Sequence, residues 1–133
     1  MELEFANLRP EIIEKELSYI ITGLLFKIHN DLGRFSREKQ YGDAFEKLLT
    51  ENKIEFERER SLPLVNIANQ MTNKADFVIL KRILLDLKAK PVVTKDDYYQ
   101  MNRYLEASKL NLGIIVNFRN TYLKPIRVIR SNS

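Results

Sequence analysis

The 133-residue chain contains no cysteine, which excludes disulfides and thiolate-bound zinc. Its longest apolar runs fall far short of the length needed to cross a bilayer. It has no internal repeat, no low-complexity segment and no linker-like stretch. The opening MELEFANLRPEIIEKE is acidic, with no basic start leading into an apolar block, so no signal peptide is expected. These absences point to a cytoplasmic protein that folds as one domain over residues 1–133, a length that suits a single core.

Hydrophobic residues make up 44% of the chain and charged residues 30%, the balance of a folded soluble protein. The net charge of +4 is a mild basic bias that permits a polyanionic partner without singling one out. Residues 118–133 carry Arg119, Lys124, Arg127 and Arg130 and no acid. That basic end suits phosphate contact, and it equally suits a solvated face.

Ile12, Ile13, Leu17, Ile20, Ile21, Leu24, Leu25 and Ile28 recur at helical spacing across 11–31. Pro10 suits the first turn and Gly33 the stop. A second helix is expected through 37–52, with Tyr41, Phe45, Leu48 and Leu49 as its apolar face and Gly42 as a weak point. The period then changes. KIEFERERS alternates apolar and charged residues as a strand with one wet face. LPLVNI reads as a further short strand and NQMTNK as a turn. ADFVIL and ILLDLKAK form a hairpin lacking the favoured Asn-Gly turn, and their apolar character suggests central strands covered on both faces. Residues 94–109 read as a third helix capped by Thr94 with Asp97 at the matching acid position. LGIIVNF is a strongly apolar strand, and YLKPIRVIR an edge strand because Pro125 cannot donate to a ladder. The order α-α-β-β-β-β-α-β-β predicts an α/β (α+β) fold, a mixed sheet with helices on its faces.

Charges inside the most strand-like stretch need an explanation, because an unpartnered buried carboxylate is expensive. On a strand, Asp86 and Lys88 share a face. A three-residue turn centred on Lys81 would set Asp76 directly opposite Asp86, and a two-residue turn would set it diagonally. Two carboxylates and one ammonium then converge. One lysine neutralises only one acid, and a divalent cation such as Mg2+ (or Mn2+) resolves the conflict while keeping several of its waters. Such a set is suited to phosphodiester hydrolysis. The plainer reading is an Asp–Lys ion pair at a strand end, with Asp76 solvated.

Asp76 followed by Asp86-Leu87-Lys88 resembles the D…(D/E)xK signature of the PD-(D/E)xK nuclease superfamily, whose restriction-endonuclease-like core is a central mixed sheet flanked by helices. LSYIITGLLFKIHNDLG and REKQY resemble the opening of the bacterial GxxExxY protein family, through His29, Leu32, Gly33, Glu38 and Tyr41. Gln100 and Tyr104 look like the Q-xxx-Y element of RecB-like nucleases, and LNLGIIVNF resembles the strand after it. Phe35 stands where the glycine naming the family would fall, Ala75 replaces the proline before the first aspartate, and Asp86 is shorter than the usual glutamate.

The resemblance implies that Asp76 and Asp86 bind the metal with Glu38 as a further acid, and that Lys88 positions or activates the water. It implies that Gln100 orients a water, Lys88 or a phosphate, and that Tyr104, with Arg103 and Lys90, contacts nucleic acid, DNA before RNA. Each residue also has a structural reading: Glu38 as a first-turn acid favoured by the helix dipole, Gln100 and Tyr104 as packing residues, His29 as a satisfied histidine near a helix end. Two rival functions stand beside the nuclease. One is a catalytically weak or inactive module of the same fold that binds nucleic acid or a protein. The other is an interaction subunit that forms a homodimer through the edge strand.

Overall fold

A computed structural model describes residues 9–61 and 74–130. Within them the order is α1 (Pro10–Leu32), α2 (Glu38–Glu51), β1 (Phe56–Ser61), β2 (Lys74–Ile79), β3 (Ile83–Lys88), α3 (Lys95–Ser108), β4 (Leu112–Asn117) and β5 (Ile126–Ile129). The strand expected at LPLVNI lies outside the described residues. The five strands form one sheet in the order β1-β2-β3-β4-β5. The β3–β4 pair is parallel and the other three pairs are antiparallel. This is the expected α/β architecture, a mixed sheet with helices on both faces.

Alternation along the strands divides the core. Phe77, Ile79, Ile83, Leu85, Leu87, Ile114 and Val116 face α1 and α2, where Leu17, Ile21, Leu25, Tyr41, Phe45 and Leu49 meet them. Val78, Leu84, Ile115 and Val128 face α3, against Met101, Tyr104 and Leu105. Strand β3 is buried from Ile83 to Leu87, which is why its sequence is nearly continuous in apolar residues. The same alternation turns Asp86 and Lys88 toward α3.

Local signals stop the helices where expected. Gly33 ends α1 with φ 75°, and its N–H donates to His29 O at 2.9 Å. At the start of α3, Thr94 N–H donates to Asp97 Oδ2 at 2.7 Å and Asp97 N–H to Thr94 O at 3.1 Å. The edge strand β5 begins at Ile126, just after Pro125. Gly113 lets α3 lie close on the sheet, since a Cβ there would collide with the Met101 side chain. Gly113→Val is therefore expected to cost about 1–3 kcal/mol through overpacking. Urea denaturation checks this, and Met101→Ala in the same chain should recover part of the loss.

Candidate active site

The β2–β3 hairpin sets the site. Its register pairs Phe77 with Leu85, Val78 with Leu84 and Ile79 with Ile83, so one step further places Asp76 opposite Asp86. The connection is the three-residue turn centred on Lys81. Leu80 and Lys81 both hold positive φ, at 51° and 54°, and Arg82 N–H donates to Ile79 O at 2.9 Å. Left-handed backbone at two residues with side chains costs roughly 1–2 kcal/mol each. Sheet pairing on both sides offsets that cost and locks the register.

Asp86 is 3% exposed. Its Oδ2 lies 3.2 Å from Lys88 Nζ yet makes no well-directed hydrogen bond to any described residue. Asp76 is half-buried, and its Oδ2 accepts the Leu87 N–H at 2.7 Å. Burial and then the neighbouring Asp86 carboxylate push the Asp76 carboxyl up to about 7, against the lowering effect of the Leu87 N–H. Burial alone would lower Lys88, but Asp86, then Asp97 and Asp76, outweigh it and raise its pKa. Lys88 is therefore an ammonium at neutral pH. In position it is a donor and a charge.

Asp97 closes the network from α3. Lys90 Nζ lies 2.6 Å and Lys88 Nζ 3.8 Å from its carboxylate. Burial raises the Asp97 pKa, but the Lys90 and Thr94 hydrogen bonds and both lysine charges lower it overall. The side chain read from sequence as a helix cap is thus also the counterion of two lysines. The signal was present in DLKAK, where two lysines at strand spacing have only one aspartate on their own strand.

Strand β1 brings a further acid to the hairpin. The β1–β2 register pairs Arg58 with Phe77 and Arg60 with Ala75, so Glu59 lies opposite Asp76, with φ 55°. Glu59, Asp76 and Glu38 line one cavity of about 470 Å³. Across it, Arg58 packs on the bare backbone of Gly42, whose absent Cβ the guanidinium replaces, and pairs with Asp43 at 2.7 Å. Gly42, a weak point for helix propensity, is what admits this arginine.

The donor set suits a hard divalent cation. Two adjacent carboxylates, one with a buried oxygen that meets the Lys88 ammonium without a well-directed hydrogen bond, are the number Mg2+ needs when waters fill the remaining positions. Among the described residues no group of three or more Asp, Glu, His or Cys side chains is gathered closely enough to hold an ion. Glu38 is exposed at the first turn of α2. It shares the cavity with Asp76 without joining a three-acid cluster.

The other expected residues divide. Gln100 is half-buried on α3 and Arg103 is exposed on the same helix. Lys90 is half-buried and held by Asp97. Tyr104 departs from expectation: it is 2% exposed and packs with Met101, Leu105, Val78 and Leu84. One turn beyond Gln100 the helix already faces the sheet, so this ring belongs to the core and not to a nucleic-acid contact. His29 has the structural role, with Nε2 2.9 Å from Asn120 O. Tyr41 is also structural. Its hydroxyl donates to Gly33 O at 2.5 Å and accepts from Ser36 N–H at 3.1 Å, and its ring stacks on Phe118 at 4.0 Å.

The sequence model of the PD-(D/E)XK nuclease superfamily matches residues 15–129. A solved structure titled "Crystal structure of SSO0001" superposes with a TM-score of 0.54 at 18% identity, over 94% of this chain and 63% of that one. This chain thus spans less than two thirds of that protein, and the likeness is one of fold. No curated protein matches the sequence. No helix among the described residues is long and apolar enough to cross a membrane.

Proposed function

This chain belongs to the PD-(D/E)XK nuclease superfamily, and from that premise we propose that it is a metal-dependent nuclease hydrolysing phosphodiester bonds, of DNA before RNA. The observation that carries the reading is the juxtaposition of Asp76 and Asp86 across the hairpin, with the Lys88 ammonium 3.2 Å from Asp86. We place the chain within the GxxExxY group of the superfamily, as one nuclease-like domain acting in the cytoplasm.

Asp76 and Asp86 would hold Mg2+ or Mn2+. When bound, such an ion stabilises charge developing on a phosphate and makes its water a better nucleophile. Lys88, charged and pointed along the same face, donates to a phosphate oxygen or to the attacking water and fixes its orientation. Asp97 holds Lys88 and Lys90 from behind, so the ammonium is positioned before substrate arrives. Glu38, at the rim of the cavity beside Asp76, would act through water. Gln100, one turn along α3 from Asp97, would orient a water or a phosphate, and Arg103 with Lys90 would add positive potential toward the nucleic-acid backbone.

A second reading has its own support. Both Lys88 and Lys90 are already engaged by aspartates, and Asp86 reaches less far than a glutamate. A module of this kind would bind nucleic acid without cutting. Incubating supercoiled plasmid and a labelled single strand with the protein, in Mg2+, Mn2+ or EDTA, separates the two. Metal-dependent cleavage supports the nuclease, and salt-sensitive binding without cleavage supports the inert module.

A further inference from the structure

A second cleft, of about 570 Å³, is lined by Arg34, Pro91, Arg119, Asn120, Thr121, Tyr122 and Lys124. It contains three cations and no acid. We infer that this cleft is a binding subsite for single-stranded nucleic acid leaving the carboxylate site. The inference takes its ligand class from the nuclease reading and adds the path and strandedness of the substrate.

Placement is the first support. Phe118 N–H donates to Lys88 O at 2.9 Å. Buried Asn117 accepts from Lys90 N–H at 3.2 Å and donates to Lys90 O at 2.7 Å. The backbone leaving Lys88 is thereby laced to the strand end that leads into Arg119. The loop between α1 and α2 joins the two cavities from the other side, since Arg34 lines one and Glu38 the other.

The two arginines are prearranged. Arg119 Nη2 donates to Ala89 O at 3.2 Å, and Arg34 Nε donates to Arg119 O at 2.8 Å. Among the described residues neither guanidinium pairs with a carboxylate, which leaves the terminal nitrogens of Arg34 a fork for a phosphate. Two aromatic rings stand at the cleft, both with the exposure a stacking platform needs: Tyr122 at 80% and Phe35 at 74%. The Arg34 and Arg119 guanidiniums lie 4.8 and 5.6 Å from the centre of the Phe35 ring. Fixed cations beside exposed rings match a strand whose phosphates are neutralised while its unpaired bases stack. A duplex keeps its bases stacked internally and offers those rings nothing.

Fluorescence anisotropy in EDTA, with labelled oligomers of roughly twelve nucleotides as single-stranded DNA, single-stranded RNA and blunt duplex DNA, tests this apart from cleavage. Wild type should bind a single strand more tightly than the duplex, and the DNA and RNA arms show which sugar is preferred. Lys124→Glu, at an exposed residue outside any ion pair among the described residues, should weaken single-strand binding at least about fivefold. Arg34→Ala combined with Lys124→Ala should flatten the log–log salt slope by about 1.4. Tyr122→Ala should weaken single-strand binding about fivefold or more with the slope unchanged. Wild-type affinity in Lys124→Glu and Tyr122→Ala, tighter binding of duplex, or no binding by wild type overturns the subsite. Cleavage indifferent to the cleft variants sinks the subsite and leaves the nuclease standing. Cleft-dependent binding without cleavage does the reverse.

Discussion

Asp86→Asn is expected to lower metal-dependent cleavage at least about 100-fold, the scale on which one precisely placed electrostatic group matters. The substitution keeps the size of a side chain that is 3% exposed and removes the charge that pairs with Lys88 and that a cation would share. Lys88 would retain Asp97, 3.8 Å away, so the fold should survive. Two opposing effects on stability also nearly cancel: the ion pair with Lys88 is lost, and the repulsion on Asp76 is relieved. Lys88→Met should show a comparable fall in kcat with little change in KM, because the ammonium serves the reacting phosphate more than general binding. Steady-state cleavage of a labelled oligonucleotide by the three proteins, alongside thermal melts, checks both statements. Equal rates in all three would remove these residues from the chemistry.

Asp76→Asn is expected to stabilise the metal-free protein at pH 8 by about 1–3 kcal/mol while abolishing stabilisation by Mg2+. The Asp76 carboxyl titrates near 7 in the folded chain against an ordinary value of 3.8. A folded pKa above the unfolded one means that the folded state holds the proton more tightly. The stability this supplies is complete below about 4 and is lost as pH rises through about 7. Asparagine has no proton to lose. The two proteins should thus melt together near pH 4 and diverge toward pH 8, with the variant higher by several degrees. Adding Mg2+ at pH 8 should raise the wild-type melting temperature and leave the variant's unchanged. A constant difference across the pH range would show that burial and the Asp86 carboxylate do not raise the Asp76 carboxyl as assigned.

Much of this arrangement could be read from local chemistry. The alternation in ILLDLKAK settles which side chains share a face, and it alone puts Asp86 with Lys88. Pro10, Gly33, the Thr94–Asp97 pair and Pro125 mark element ends by backbone rules that need no tertiary context. The turn was harder: Leu80 and Lys81 carry left-handed backbone that no propensity favours, so the choice between two registers of Asp76 waited for the sheet. Tyr104 was misplaced because a spacing of four residues says that Gln100 and Tyr104 share a side of α3, but not how far that side dips into the sheet. The second role of Asp97 and the approach of Glu59 to Asp76 are contacts between elements distant in sequence, and no single segment records them. Gly42 looked like a defect in α2 for the same reason. Its partner, Arg58, is on another strand.

Asp76 and Asp86 are proposed to hold a divalent cation together. Anomalous scattering from crystals grown or soaked with saturating Mn2+ tests it most directly. The expected result is a single strong peak between the two carboxylates, within about 2.5 Å of an oxygen from each, that disappears in Asp86→Asn. A fully ordered site with no peak at saturating metal would contradict the claim and leave the hairpin carboxylates as structural partners of Lys88.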